Sequence, residues 1–308
     1  MPATRAEPPW REARERGSAT LLRFMIWVTL RLGRGAGRAL LPLIVLYFLA
    51  FSRRARAASR GYLARVLERR PTLADVFRHY RTFAATLLDR AYLLSGRFDY
   101  FDIRLHGAEQ LREIVERGRG CMLLGSHLGS FEVLRAAAVF AAQWPIALLM
   151  DNANAQKVTR ALEALNPALA ATIIEVGRPD SLLRAKERLD RGAMLGVLGD
   201  RLRQGDKPVP CTFLGATMPF PESPFVIAAV LHTPVVLCFG LYRGGRRYDI
   251  HFEVFRDPLE VPRAARAEAM VALVREYAAR LEHYTRLAPY NWFNFYDVWA
   301  TAGAKAPS

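Results

Sequence analysis

The stretch Gly120-Cys-Met-Leu-Leu-Gly-Ser126, followed by His127-Leu-Gly-Ser-Phe-Glu132, decides how the chain is organised around it. Cys121 to Leu124 form a short apolar run typical of a buried strand, and the glycines on either side of His127 allow a tight turn. The pattern from Phe131 to Phe140 predicts a helix. We therefore expect a strand that ends near His127 and a helix with Glu132 in its first turn, where the helix dipole favours a negative charge.

His127 and Glu132 are the candidate catalytic residues. A histidine oriented by a carboxylate can act as a general base, because the acid fixes the imidazole tautomer and stabilises the imidazolium that forms. A His and a Glu five residues apart also occur by chance, so the spacing alone does not establish a pair. The predicted setting, a strand end that opens into a helix between two glycines, favours a functional one.

Strand and helix patterns alternate along most of the chain. Strands are expected at residues 101–105, 121–124, 146–150, 171–176, 193–198, 235–242 and 248–255, and helices at 53–94 (divided by Pro71), 108–117, 131–140, 155–165, 181–191, 225–231 and 264–286. This alternation predicts an α/β fold of three layers, α/β/α, in which a mixed, largely parallel central sheet is covered on both faces. The active crevice of such sheets lies beyond the carboxyl ends of the strands, where both His127 and the pair Asp200-Arg201 are placed.

The composition limits the classes of partner. The chain has 308 residues, a hydrophobic content of 52% and a formal net charge of +15, which suits one large domain and an anionic partner. Its arginines are spread along the chain without a nucleic-acid-binding motif, so we expect no nucleic acid. The three cysteines lie in apolar stretches without ligand spacing. Neither a disulfide, a metal site nor a cofactor motif is expected.

The N-terminal residues predict a hydrophobic helical anchor. The thirteen residues from Ala39 to Phe51 carry no charge and would form a helix of about 20 Å, shorter than the roughly 30 Å hydrocarbon core. Arginines flank this run, and its aromatic residues suit a membrane interface. Residues 21–51 would be one tilted span or two helices in the interface. Alternatively, residues 39–51 form a buried helix of a soluble domain.

Several motifs occur in an order that resembles a known superfamily. They are the hydrophobic N-terminus, the His-x4-acid motif of His127 and Glu132, Gly196-Val-Leu-Gly-Asp200-Arg201, Phe213-Leu-Gly215-Ala216 with Pro219-Phe-Pro221, and Pro234-Val-Val236. This set resembles the lysophospholipid acyltransferase superfamily, and within it the lipid A late acyltransferase-like branch. The resemblance covers about residues 20 to 300.

Two departures separate the chain from the lipid A enzymes. Those enzymes usually show Asn-Trp before the acid and a later Asp-Gln pair, whereas this chain has Ser130-Phe131 and Asp200-Arg201. The stretch Tyr290-Asn-Trp-Phe-Asn-Phe-Tyr-Asp-Val-Trp299 is similar to a subgroup found beside aryl polyene and related fatty-acid-like pathways. Lipid A itself is therefore in doubt as the acceptor.

The resemblance implies a glycerol-phosphate acyltransferase-like enzyme at the cytoplasmic face of a bacterial inner membrane. It would move an acyl chain from an acyl carrier protein or CoA thioester to a hydroxyl of a lipid or glycolipid, with no metal and no cofactor. His127 would be the general base and Glu132 its orienting carboxylate. Four residues would bind substrate: Asp200, Arg201, Arg160 and Lys157. The last two are explained nearly as well by a solvated helix face.

The expected organisation has four parts: a polar lead-in over 1–18, membrane-associating helices over 19–56, an acyltransferase domain over 57–300 and a tail over 301–308. A second hypothesis from another class is a non-catalytic, basic peripheral membrane protein that binds acyl carriers or lipids. A serine thioesterase is disfavoured because no Gly-x-Ser-x-Gly elbow is present. Core docking is expected of the aromatic stretch 290–299, and structural roles of His79, His106, His232, His251 and His283.

Overall fold

The computed structural model describes residues 19–136, 138, 144–150 and 172–300. The predicted helix over 155–165, which carries Lys157 and Arg160, lies outside the described residues, as do the lead-in 1–18 and the tail 301–308.

Seven strands form the central sheet, and two more form a separate hairpin. The strands are β1 (Asp102–His106), β2 (Met122–Gly125), β3 (Ile146–Met150), β4 (Ile173–Glu175), β5 (Met194–Leu198), β6 (Pro208–Phe213), β7 (Ala216–Pro221), β8 (Val235–Gly244) and β9 (Arg247–Arg256). The order across the sheet is β1-β9-β8-β2-β5-β3-β4. All neighbours are parallel except the antiparallel pair β8–β9, so the expected mixed, largely parallel sheet is confirmed.

Nine α-helices lie in the described part of the chain. They are α1 (Ala19–Arg31), α2 (Arg34–Phe51), α3 (Arg53–Val66), α4 (Leu73–Leu94), α5 (Ala108–Glu116), α6 (Phe131–Ala136), α7 (Ser181–Asp190), α8 (Ser223–Leu231) and α9 (Arg266–Leu287). The break at Pro71 is reinforced by a capping box, in which Thr72 Oγ1 accepts from the Asp75 backbone N–H and the Thr72 N–H donates to the Asp75 carboxylate.

Helices cover both faces of the sheet. Successive side chains of a strand point in opposite directions, so neighbouring residues of β2 pack against helices on opposite faces. Met122 and Leu124 belong to one buried cluster, together with residues of α3, α7, α8 and α9. Cys121 and Leu123 belong to a second cluster with residues of α5 and α6. Buried on both sides, the residues around β2 are uniformly apolar, as expected of a central parallel strand.

The hairpin of β6 and β7 was not expected from the sequence. Its register places Phe213 opposite Ala216, so the motif Phe213-Leu-Gly215-Ala216 is a two-residue turn. Leu214 and Gly215 both have positive φ, 50° and 75°, which is the backbone that tight hairpin turns require. The prolines around this turn conceal the strand pattern, because proline is rare in regular sheet.

By length and composition, α2 is one helix able to cross a membrane, with a mean hydropathy of 1.4 over 18 residues. Gly37, Leu41 and Val45 form a buried stripe along one side of it. The helix therefore packs against the α/β domain on one side and is apolar on the other.

Candidate active site

The sheet places His127 beside Asp200. β2 and β5 are parallel neighbours, and Gly125 at the end of β2 pairs with Leu198 at the end of β5. His127 and Asp200 each lie two residues beyond these strand ends. Since both strands end at the same edge of the sheet, the two side chains meet in the crevice that this fold class uses for binding.

Asp200 holds the imidazole of His127. The distance from His127 Nδ1 to Asp200 Oδ1 is 2.8 Å, and the His127 backbone N–H donates to the same oxygen at 3.1 Å. An ionised carboxylate only accepts hydrogen bonds, so Nδ1 carries the proton and Nε2 keeps its lone pair. The His127 side chain is 28% exposed, whereas that of Asp200 is fully buried. The ring is thus fixed at one nitrogen and keeps the other as a proton acceptor.

The C-terminal segment completes the surroundings of Asp200. Its second carboxylate oxygen, Oδ2, accepts hydrogen bonds from Trp292 Nε1 at 3.0 Å and Asn294 Nδ2 at 3.1 Å. Arg201 Nε donates to Asn294 Oδ1 at 2.6 Å, and Arg201 Nη2 donates to the Phe293 carbonyl at 3.0 Å. Asp200 is therefore satisfied on both oxygens, and Arg201 fastens the segment that satisfies it.

The same segment runs along the loop that carries His127. Leu128 and Trp292 form an antiparallel bridge, the Phe293 N–H donates to the His127 carbonyl at 2.8 Å, and the Gly129 N–H donates to the Asn291 carbonyl at 2.8 Å. Trp292 is completely buried. The aromatic stretch therefore docks on the core, as expected from its composition, and it also holds the loop that carries His127.

Gly129 makes the turn after His127 possible. Its φ is +75°, and a Cβ at this position would lie 2.0 Å from the Gly240 carbonyl oxygen. The Ser130 N–H donates to that oxygen at 2.8 Å. Only glycine permits this approach of the loop to β8.

The electrostatics favour a neutral base beside an ionised acid. Burial lowers the pKa of His127 below its ordinary value of 6.5, and the positive charge of Arg201 lowers it further against the opposing effect of Asp200. Burial alone would raise the pKa of Asp200, but the contact with His127 and the charge of Arg201 hold it well below its usual range. At neutral pH His127 is therefore an unprotonated imidazole.

Glu132 has other partners. Its Oε1 accepts a hydrogen bond from Arg90 Nη2 at 2.8 Å, and its Oε2 lies 3.7 Å from Arg135 Nη1. The nitrogen that an orienting carboxylate would hold is bonded to Asp200, so Asp200 makes the contact that was expected of Glu132. The first turn of α6 brings the Glu132 carboxylate to α4, whereas Asp200 reaches His127 from the adjacent strand.

The other predicted site residues have mixed outcomes. Asp200 and Arg201 follow the carboxyl end of β5 beside His127, where Arg201 is engaged with the C-terminal segment, and their role in substrate binding stays a prediction. Lys157 and Arg160 lie outside the described residues. Three further contributors, Trp292, Asn294 and Arg90, were not predicted. The density of polar side chains within the aromatic stretch 290–299 was the one available signal for Asn294.

His79 is a satisfied core histidine, as expected. Its Nδ1 lies 2.8 Å from Ser59 Oγ and its Nε2 lies 2.9 Å from the Trp292 carbonyl oxygen. Burial lowers its pKa to about 4, so it stays neutral. Through the Trp292 backbone, His79 supports the segment that holds Asp200.

One cluster in the described part of the chain has ligand types suited to a metal ion: His106, Asp249 and His251. Both oxygens of Asp249 are already engaged, since Arg247 donates to them at 3.0 and 3.2 Å and Arg243 Nε lies 3.2 Å from Oδ2. Two guanidinium groups at the carboxylate also repel a divalent cation. The cluster therefore joins His106 of β1 to Asp249 and His251 of β9, with β8 between β9 and β2, and its paired carboxylate does not fit an open metal site.

Neither a protein-family model nor a curated protein matches this chain. The likeness to the lysophospholipid acyltransferases therefore stands on the ordered motifs quoted above.

Proposed function

We propose that this protein is a membrane-associated O-acyltransferase of glycerol-phosphate acyltransferase-like architecture. It moves an acyl chain from an acyl carrier protein or CoA thioester to a hydroxyl of a lipid or glycolipid acceptor. The observation that carries the proposal is the 2.8 Å contact from His127 Nδ1 to the buried Asp200, which leaves Nε2 as a base at the carboxyl ends of the strands. The order of the sequence motifs supports the reaction class.

In the proposed reaction, Nε2 of His127 takes the proton of the acceptor hydroxyl as its oxygen attacks the thioester carbonyl carbon. The tetrahedral intermediate then expels the thiolate as the carbon–sulfur bond breaks, and the imidazolium returns its proton to that sulfur. The new ester and the free thiol are the products. Asp200 stays ionised throughout and stabilises the imidazolium, as the acid of a catalytic triad does.

Positive charge near His127 suits the oxyanion of this intermediate. Arg201 and Arg90 are close enough for their charges to lower the pKa of His127. A fixed positive field at the site stabilises negative charge that develops on the carbonyl oxygen. In this scheme the Arg90–Glu132 pair keeps one of these cations in place.

The formal charge of +15 supports the proposed partners. An acidic acyl carrier protein and an anionic membrane surface are both attracted by such a charge. We place the enzyme at the cytoplasmic face of the bacterial inner membrane, where both partners occur, with α1 and α2 as the attachment.

Replacing His127 by Ala tests the proposal. Lipids from a deletion strain are compared by mass spectrometry with those of strains complemented by wild type, His127→Ala or His283→Ala. His283 is an exposed histidine on α9 and serves as the matched control. We expect deletion to remove one acylated lipid, and wild type and His283→Ala to restore it while His127→Ala does not.

Restoration by His127→Ala at equal protein levels would contradict the mechanism. It would favour the non-catalytic alternative, a basic peripheral membrane protein that presents acyl carriers or lipids. That alternative does not account for the hydrogen bond between His127 and the buried Asp200, so we place it second.

A further inference from the structure

The outward face of α1 and α2 is apolar. Seven large apolar side chains of these helices and their link are 51% to 66% exposed: Phe24, Trp27, Leu32, Leu43, Leu46, Tyr47 and Phe51. Within α2 the spacing of these residues puts them on one side of the helix. We call these seven residues the apolar face. Exposed apolar surface of this density marks an interaction site.

The inward side of α2 is packed tightly against the domain. Leu41 and Val45 are buried, and Leu41 clusters with Ala85 and Leu88 of α4. A Cβ on Gly37 would lie 2.4 Å from Thr29 Oγ1 and 3.0 Å from Leu88 Cδ1. Glycine thus allows α1, α2 and α4 to approach closely at this point.

Buried ion pairs hold the first half of α2 on the domain. Arg34 Nε donates to Asp89 Oδ1 at 2.8 Å, and Arg38 Nη2 donates to Asp89 Oδ2 at 3.1 Å. Asp89 lies on α4 and is fully buried. Moving α2 away to cross a bilayer would leave this carboxylate buried without its cations, which is strongly unfavourable. The contacts therefore favour a helix that stays against the domain.

A basic helix continues the surface directly after Phe51. α3 carries five arginines and no acidic residue. Arg53, Arg54 and Arg60 are exposed, and none of the three forms an ion pair with a carboxylate in the described ranges of the chain. Unpaired arginines beside an apolar face match the layering of an anionic bilayer, with phosphates next to acyl chains.

We propose that the chain lies on an anionic lipid bilayer without crossing it. The apolar face enters the boundary between headgroups and acyl chains, and Arg53, Arg54 and Arg60 contact lipid phosphates. This inference refines the membrane association in the proposed function, and it does not depend on the acyl-transfer chemistry.

Vesicle binding tests the electrostatic part. The full-length protein is floated with vesicles of pure phosphatidylcholine or of phosphatidylcholine with phosphatidylglycerol. We expect the triple variant Arg53→Gln, Arg54→Gln, Arg60→Gln to bind the anionic vesicles about 100-fold more weakly. The matched control removes three exposed arginines from other surfaces: Arg112→Gln, Arg119→Gln and Arg191→Gln. An equal loss in the control would show that only net charge matters and would overturn the assignment to α3.

A charge on the apolar face tests the hydrophobic part. Leu43 and Leu183 are similarly exposed, at 66% and 61%, and only Leu43 belongs to the apolar face. We expect Leu43→Asp to weaken vesicle binding at least tenfold and Leu183→Asp to leave it unchanged. If Leu43→Asp instead dissociates a dimer and leaves vesicle binding intact, the face is an interface between two copies of this chain and the proposal fails.

Depth and sidedness distinguish lying from crossing. Lipids brominated near the headgroup should quench the fluorescence of Trp27, and this quenching should disappear in Trp27→Phe. A protease-sensitive tag at the N-terminus should be cleaved from the same side of a membrane vesicle as the α/β domain. A tag protected on the opposite side would show that α2 crosses the bilayer and would overturn the inference.

These assays contain no thioester, so they separate the two proposals. A protein that binds vesicles as expected but restores the lipid when His127 is Ala supports the inference and refutes the proposed reaction. The reverse pattern refutes the inference and retains the reaction.

Discussion

Two fully buried carboxylates, Asp200 and Asp89, are built into this molecule in different ways. Asp89 accepts hydrogen bonds from Arg34, Arg38 and the Tyr248 hydroxyl, all groups that stay protonated at neutral pH. Asp200 accepts them from Trp292, Asn294 and His127, whose ring has a second nitrogen and is 28% exposed.

The difference lies in the partner that each buried carboxylate holds. Both acids are satisfied, but only Asp200 acts on a partner that can gain and release a proton near neutral pH. Asp89 joins α2 to the domain, whereas Asp200 fixes the tautomer of the His127 imidazole. Four experiments test this distinction, beginning with the largest expected effect.

Asp200→Asn should lower acyl transfer by about 10³- to 10⁴-fold. The donors Trp292 and Asn294 would draw the amide oxygen to the position of Oδ2, and the amide NH2 would then face His127. The imidazole would have to accept at Nδ1 and carry its proton on Nε2, which blocks the base. Single-turnover rates with acyl-thioester and lipid extract measure the effect. A thermal melt checks the fold, and near-normal activity would refute the role of Asp200.

Asp89→Asn should destabilise the protein by about 3–5 kcal/mol, because it leaves Arg34 and Arg38 without their buried counter-charge. Denaturant unfolding measures this change. The matched control is Asp190→Asn, since Asp190 pairs with Lys186 on an exposed surface. That change should cost about 1 kcal/mol or less. A loss in the control as large as in Asp89→Asn would remove the contrast between buried and exposed pairs.

Glu132→Gln should lower activity by about 10- to 100-fold, less than Asp200→Asn. The substitution keeps the size of the side chain and weakens its hold on Arg90. The same single-turnover assay compares the two variants. If Glu132→Gln proves the more damaging, Glu132 rather than Asp200 governs the base.

The pH dependence gives the smallest effect and probes the base directly. The pKa of His127 is lowered by burial and by Arg201, so activity should be constant at neutral pH and fall only as the pH drops below 6.5. Arg201→Gln removes one of the lowering causes, and its acid limb should move to higher pH. Profiles of kcat/KM against pH measure the acid limb of the wild type and of the variant. An acid limb that does not move would exclude Arg201 as a determinant of the pKa of His127.

Local patterns predicted much of the fold because they depend on residues near in sequence. The apolar run at 121–124 is β2, and the helical periodicity after Pro71 is α4. The hairpin of β6 and β7 was missed because prolines conceal its alternation. His127 was selected as a candidate site residue because a glycine-flanked polar residue after a buried strand is recognisable from local sequence alone.

By itself, the sequence determined that the chain is an α/β protein with an apolar, arginine-flanked N-terminus and a histidine at a strand end. Only the tertiary structure decided which acid serves that histidine. Glu132 is five residues away, but Asp200, 73 residues away, is the partner. The physical reason is strand order: nothing in local periodicity states that β5 lies beside β2, and that pairing brings Asp200 to His127.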